Sequence, residues 1–282
     1  MKTYSLENIK GKVCVITGGA GIIGTSLAIG LGSAGAKIAI VDFNKEKAEE
    51  VAAHVTMETG ALAIGVFGNV LDKALLQDAK RTINEKLGMI DVLINGAGGN
   101  APTATTQLEF LSKDSLGELS KSFFGLDLDG FRKVFDLNFL GTVLPTMVFA
   151  EDMTGRGGQI INISSMNSFH PLTKIPAYSA AKASINNLTE WLAVHFAKLD
   201  IRVNAIAPGF FLTDQNRFLL TDKETGGLTP RGDKILANTP MGRFGEPEEL
   251  VGAMLFLISD LSTFITGIVI PVDGGFNVYA GV

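Results

Sequence analysis

The 282-residue sequence predicts an α/β protein: one domain over residues 1–282, built on a doubly wound parallel sheet of seven strands. Three observations lead there. Short apolar runs bounded by glycines alternate with helical periods, and parallel neighbours need helical crossovers. A glycine-rich turn follows the first run and opens an apolar-periodic helix. The 46% hydrophobic content can fill a large core, and no linker or repeat divides the sequence.

The first run, residues 12–17, reads as a strand buried on both faces. Gly19, Gly21 and Gly24 then fit G-x-G-x-x-G, where bare backbone can approach a pyrophosphate facing the helix N-terminus. The second run, KIAIVDF, carries Asp42 about 20 residues beyond the glycines, where a carboxylate can accept hydrogen bonds from adenosine ribose hydroxyls. It would repel a 2′-phosphate, which favours NAD over NADP. The third run, ALAIGVFGNV, contains Asn69, which can offer its oxygen to an adenine amino group, and ends at Val70. A fourth, MIDVLIN, leads into Asn95-Gly96-Ala97-Gly98, a turn that lets a cofactor pass close to backbone.

Residues 99–128 break the rhythm with no clear period. They begin at the C-terminal end of the fourth strand, where open α/β sheets bind ligands. A long helix over 129–153 follows, with Asn138 in an apolar stretch; a buried amide there pairs with backbone or holds a water. The fifth strand ends at Ser165. Tyr178 and Lys182 then stand four apart at the start of a helix, one face up, placing an ammonium beside a phenol and favouring the phenolate. The sixth strand ends near Pro208-Gly209, with Thr213 beyond; residues 210–246 read as a second irregular insertion holding Arg217, Arg231 and Arg243. A helix and a last strand, GIVIPVDGG, close the sequence.

A formal charge of −5 gives no electrostatic footprint for nucleic acid or an anionic membrane. No apolar run reaches the roughly 18 residues of a spanning helix, and the start lacks a signal-peptide core. A cytoplasmic protein is expected. One cysteine, Cys14, excludes a disulfide framework; His54, His170 and His195 lack metal-ligand spacing.

The ordered set from Thr17 to Gly24, Asn95-Gly96-Ala97-Gly98, Asn138, Ser165, Tyr178 with Lys182, Pro208-Gly209 with Thr213, and Val272-Asp273-Gly274-Gly275 resembles the short-chain dehydrogenase/reductase family along nearly the whole length. Two features depart from its commonest pattern: the glycine turn reads T-G-x-x-G-x-x-G, and Asn69 and Gly96 replace a frequent Asp and Asn. The resemblance implies a Rossmann-like domain with strand order 3-2-1-4-5-6-7, a nicotinamide cofactor, and a tetrad of Asn138, Ser165, Tyr178 and Lys182. It also implies NAD contacts from Gly18, Gly21, Ile23, Gly24, Asp42, Asn69, Val70, Asn95, Gly96, Ala97, Gly98, Tyr178, Lys182, Pro208, Gly209 and Thr213. In such enzymes the tyrosine exchanges a proton with an alcohol or ketone oxygen, the serine orients that oxygen, and the lysine supports the phenolate and the nicotinamide ribose.

Within the family the sequence is similar to the group of D-mannonate oxidoreductases, or fructuronate reductases, in GGNAPTATT, the polar insertion and the SMNSFHPLTKIPAYSAAK segment. This implies a sugar-acid substrate, met by Asn100, Thr103, Ser165, Asn167, His170 and Tyr178, with Arg217 or Arg231 on the carboxylate. A homo-oligomer, tetramer or dimer, is implied as well. The competing readings are a reductase for another polyol, sugar acid or acyl-carrier ketone, and a dinucleotide-binding regulator without turnover. The complete tetrad speaks against the regulator. A serine hydrolase does not fit, because Ser165 lies in Ile-Ser-Ser-Met rather than G-x-S-x-G.

Overall fold

The computed structural model describes residues 5–212, 220–222 and 226–281. Strands β1 (Val13–Thr17), β2 (Lys37–Asp42), β3 (Ala63–Phe67), β4 (Val92–Asn95), β5 (Gly158–Ile163), β6 (Ile201–Pro208) and β7 (Val269–Val272) form one sheet. Its order is 3-2-1-4-5-6-7 and every pair is parallel, as expected.

Alternate residues of the inner strands feed two cores. Cys14 and Ile16 of β1 pack with α1 (Ile22–Ser33), α2 (Lys45–Thr59) and α8 (Glu249–Ile258), whereas Val13 and Val15 pack with α3 (Lys73–Lys86), α5 (Gly141–Phe149) and α6 (Pro176–Phe196). Local chemistry sets the helix limits. Asn44 caps α2 by accepting from the Lys47 N–H at 3.0 Å, and Gly60 ends that helix at a left-handed φ of 70°. Asp72 caps α3 through the Leu75 N–H. Burial pushes the Cys14 thiol up to about 12, so it behaves as an inert apolar side chain.

A polar thread runs through the interior beside β4 and β5. The Asn95 amide donates to Thr146 Oγ1 on α5 and to Asn162 Oδ1, each at 2.9 Å, and Asn162 donates to Thr189 Oγ1 on α6 at 2.9 Å. Asn95 and Asn162 face each other in the β4–β5 register.

Two expectations need correction. The helix over 129–153 is not uniform: α4 (Leu128–Phe135) passes through a π turn at Asp136–Leu140 into α5 and a 3-10 turn, Ala150–Met153. This stretch, Leu128–Met153, also has the length and composition to cross a membrane, which reading only uninterrupted apolar runs overlooked; half of its most apolar window is buried within the fold. The second correction lies in 210–246, which contains an eight-residue helix, α7 (Pro230–Ala237). Thr229 caps it and Pro230 occupies its first turn, a start signal that Thr-Pro announces in the sequence.

Candidate active site

The C-terminal ends of the strands carry the candidate site, beside the point where the order turns from β1 to β4. At β1 the backbone bends through Gly18, whose φ of +62° and close approach to Ala97 both exclude a side chain: a Cβ would lie 2.7 Å from Ala97 Cα. Thr17 Oγ1 accepts from the Gly96 and Ala97 N–H groups at 3.2 and 3.4 Å, tying the two turns together. Gly21 is the N-cap of α1 and brings no capping side chain, so the first-turn N–H groups there remain available to an anion. Ile23 is partly buried in that turn, and a Cβ on Gly24 would strike Gly19.

Asp42 ends β2, nearly buried. One carboxylate oxygen accepts from the Asn44 N–H at 3.0 Å and the other from the Ala20 N–H at 3.3 Å, which aims the group across the glycine turn and leaves lone pairs for ribose hydroxyls. Asn69 lies two residues beyond β3, exposed, its oxygen accepting from the Leu71 N–H at 3.0 Å. Val70 is buried near Gly141. The Asn95 side chain points inward to the polar thread, leaving only its backbone to face a ligand.

Asn138 and Lys182 flank Gly98, Tyr178 adjoins Lys182, and Ser165 adjoins Tyr178. Asn138 stands in the π turn, fully buried; its amide donates to the Gly99 and Val134 carbonyls, both at 2.7 Å, and its oxygen accepts from the Gly99 N–H at 3.2 Å. Pairing with backbone, one of the two readings open for this amide, is thus observed. A Cβ on Gly98 would come 2.6 Å from Asn138 Oδ1 and 3.3 Å from Lys182 Nζ. Lys182, buried on α6, donates to the Ile163 carbonyl at 2.8 Å, and its Nζ lies 5.6 Å from the centroid of the Tyr178 ring. Ser165, just beyond β5, hydrogen-bonds the Tyr178 side chain and also accepts from the Asn167 N–H at 3.2 Å.

Electrostatically the phenol departs from expectation. Burial pushes Tyr178 above its ordinary value, and the Ser165 hydrogen bond, which favours the phenolate, does not outweigh it. Lysine gives less help than spacing suggested, because its Nζ is turned to the Ile163 carbonyl and burial lowers its own pKa to about 8. The protein alone therefore holds Tyr178 as a neutral proton donor.

The other expected contacts spread around this centre. Pro208 ends β6 and Gly209 follows it, where a Cβ on Gly209 would lie 2.6 Å from Asp273 Cα. Asn167 is buried with its Oδ1 unpartnered. His170 is exposed and bonds through Nδ1 to Asn277 Oδ1 at 2.7 Å, which brings the C-terminal turn to the loop after β5. Asn100 donates to Thr105 Oγ1 at 2.9 Å, within its own turn. Thr103 supports α4, where a Cβ on Gly130 would strike its hydroxyl. Arg231 is exposed in the first turn of α7, and Arg243 forms a two-pronged pair with Glu249 at 2.7 Å per bond. Thr213 and Arg217 lie outside the described residues. The insertion at 99–128 is clasped to its surroundings: Thr106 N–H donates to the Lys174 carbonyl at 2.9 Å, and Glu109 accepts from Thr173 at 3.2 Å and from Lys234 of α7 at 2.5 Å.

Sequence reasoning named Thr17 only as the head of the glycine turn, without its bonds to the Gly96 and Ala97 N–H groups, and missed Asn186 and Asn277. Each is a small polar residue whose partner is distant along the sequence, so no local spacing marks it.

Comparison with known proteins agrees with this geometry. A family model described as enoyl-(acyl carrier protein) reductase matches residues 18–277. An "uncharacterized oxidoreductase" of Haemophilus influenzae is 53% identical over 284 residues, covering 100% of this chain and 99% of its own. A crystal structure from that organism, provisionally named a D-mannonate oxidoreductase and holding bound NAD, superposes with a TM-score of 0.92 at 52% identity, covering 98% of this chain and 99% of its own. The 2-dehydro-3-deoxy-D-gluconate 5-dehydrogenase of Formosa agariphila is 33% identical over 97% of this chain and 95% of its own. Fold, ordered motifs and relatives together establish that the protein is an oxidoreductase of the short-chain dehydrogenase/reductase family.

Proposed function

We propose that this protein interconverts a secondary alcohol and a ketone on a sugar acid with NAD(H), D-mannonate and D-fructuronate being the first pair to test. The observation that carries the proposal is the run of contacts from Ser165 through Tyr178 and Lys182 to Asn138 around Gly98. The NAD in the Haemophilus influenzae structure supports the choice of cofactor. Here the uncapped start of α1 would hold the pyrophosphate, the free lone pairs of Asp42 the adenosine ribose, and Lys182 with Tyr178 the nicotinamide ribose. Bound nicotinamide supplies or accepts the hydride.

The protein's own residues manage the proton. Ser165 holds the substrate oxygen; Tyr178 gives its phenolic proton to a ketone, or takes one from an alcohol when ionised. Reduction needs the neutral form that burial favours. Oxidation needs the phenolate, which the Ser165 bond and the Lys182 charge support. Asn138, tied to Gly99, keeps the turn carrying Gly98 beside Lys182.

The substrate class rests on His170 with Asn277 and on the sugar-acid name of the Formosa agariphila relative. An arginine for the carboxylate, Arg217 or Arg231, belongs to the same proposal, as does the division into one domain with substrate-side insertions at 99–128 and 210–246. Self-association is proposed too, supported by the exposed apolar side chains Met147, Trp191 and Val194 on α5 and α6, and light scattering tests it.

The deciding experiment follows NADH absorbance with purified protein and fructuronate, a 5-ketogluconate and a β-ketoacyl thioester. Fructuronate should give the highest kcat/KM. A preference for the gluconate-type acid would favour the second reading, which the Formosa agariphila relative supports; turnover of the thioester alone would overturn a sugar-acid site.

A further inference from the structure

We propose that Asn186 is a positioning residue for the proton-transfer step, clamping the loop that carries Ser165 onto the helix that carries Tyr178 and Lys182. The inference rests on the proposed function above. Tyr178, Lys182 and Asn186 recur at intervals of four on α6 and so share one face. Tyr178 and Lys182 reach the candidate site; Asn186 reaches its support. Its Oδ1 accepts from Ser164 Oγ at 2.5 Å, and its amide donates to Ser168 Oγ at 2.8 Å. The Ser168 hydroxyl in turn donates to the Ser165 carbonyl at 2.6 Å.

One amide thus grips the residues on both sides of Ser165, and the second arm ends on the Ser165 backbone itself. Ser164 leans on the same helix through the Lys182 carbonyl at 3.5 Å. The loop is short, a 3-10 turn at Met166–Ser168 whose N-cap is Ser165, so a shift in its anchor moves the serine hydroxyl relative to the phenol. A mispositioning of about an ångström is enough to weaken a hydrogen bond that must serve both tyrosine and substrate.

The role separates from plain structural support by its effect on the phenol. The Ser165 hydrogen bond lowers the Tyr178 pKa, so losing its alignment must raise it. Ser168→Ala removes only the arm to the Ser165 carbonyl, and it serves if Asn186→Ala folds poorly.

The experiment combines kinetics with ultraviolet difference titration of the phenol. Each variant is compared with its own Tyr178→Phe derivative, which isolates one of the three tyrosines. Asn186→Ala should lower kcat about tenfold, the equivalent of one misaligned hydrogen bond, with the KM for NADH unchanged. The rising limb of the pH profile for alcohol oxidation and the phenol titration should both move to higher pH. Ser168→Ala should move them the same way, and the double variant should be no worse than Asn186→Ala alone. An unmoved phenol titration in both variants, with Tyr178→Phe inactive, overturns the clamp and leaves the proposed function standing. Near-parental turnover by Tyr178→Phe itself overturns the proposed function.

Discussion

Gly98→Ala tests the crowding at the centre of the site. The added Cβ would sit 2.6 Å from Asn138 Oδ1 and 3.3 Å from Lys182 Nζ. Asn138 cannot yield easily: it is fully buried and held by three hydrogen bonds, two of them to Gly99. Moving it puts both Gly99 bonds at risk, about 1 kcal/mol each, on top of roughly 1–3 kcal/mol for overpacking. A loss of about 3–5 kcal/mol follows, or a melting temperature lower by roughly 5–10 °C for a protein of this size. Gly99→Ala is the internal control. Its Cβ would meet only Leu137 at 3.8 Å, an ordinary contact, and Gly99 has no positive φ. Its melting temperature should stay within about 2 °C of the parent. Thermal and denaturant unfolding measure both, and turnover should fall only in Gly98→Ala, where Lys182 is also displaced. Equal melting temperatures for the two variants would refute the account of Asn138 as a rigid, backbone-tied wall.

Tyr178→Phe should remove more than about 99% of turnover on the scale of general acid–base catalysis, about 10²-fold or more, while the Kd for NADH by fluorescence changes little. Stability should depend on pH through Lys182. Its folded pKa of about 8 lies below its ordinary 10.5, so the unfolded state binds more protons between those values and stability rises with pH across them. The charged form costs on the order of 3 kcal/mol at neutral pH, and the denaturant midpoint of the parent relative to Lys182→Met should climb over this window, the comparison cancelling Cys14, whose raised value lowers the stability of both above about pH 9. Asp42→Asn should weaken discrimination against NADPH by at least about tenfold in kcat/KM, since the charge that repels a 2′-phosphate is gone. An unchanged cofactor ratio would remove Asp42 from the ribose site.

The sheet was legible because parallel strands buried on both faces read as unbroken apolar runs, and β1, β2, β4 and β5 do. Its order came from the resemblance, since alternation alone permits several doubly wound orders. The region around Ser165, Tyr178 and Lys182 was legible for a local reason: helical spacing and a strand end place those side chains without knowledge of the rest. What escaped depended on distance or on burial. The π turn at Asp136–Leu140 leaves the apolar periodicity intact, so the stretch reads as one helix. Spacing places Lys182 beside Tyr178 but says nothing of the Ile163 carbonyl that turns its ammonium, or of the burial that raises the phenol. Asn95 sits in a glycine-rich turn that suggests a ligand contact, yet the last residue of a strand points to one face or the other, and here that is the interior.

The amide thread from Thr146 through Asn95 and Asn162 to Thr189 bears on which misfolded states can compete. Sliding β5 by one residue against β4 would turn Asn162 to the opposite core and strand its hydrogen-bonding groups in hydrocarbon, at about 1–3 kcal/mol for each unmet group. Hydrocarbon side chains on either core tolerate such a slip far better, because their contacts carry no direction. Replacing both asparagines with valine should therefore leave a protein that still collapses but refolds to more than one strand alignment, visible as doubled backbone resonances near residues 95 and 162.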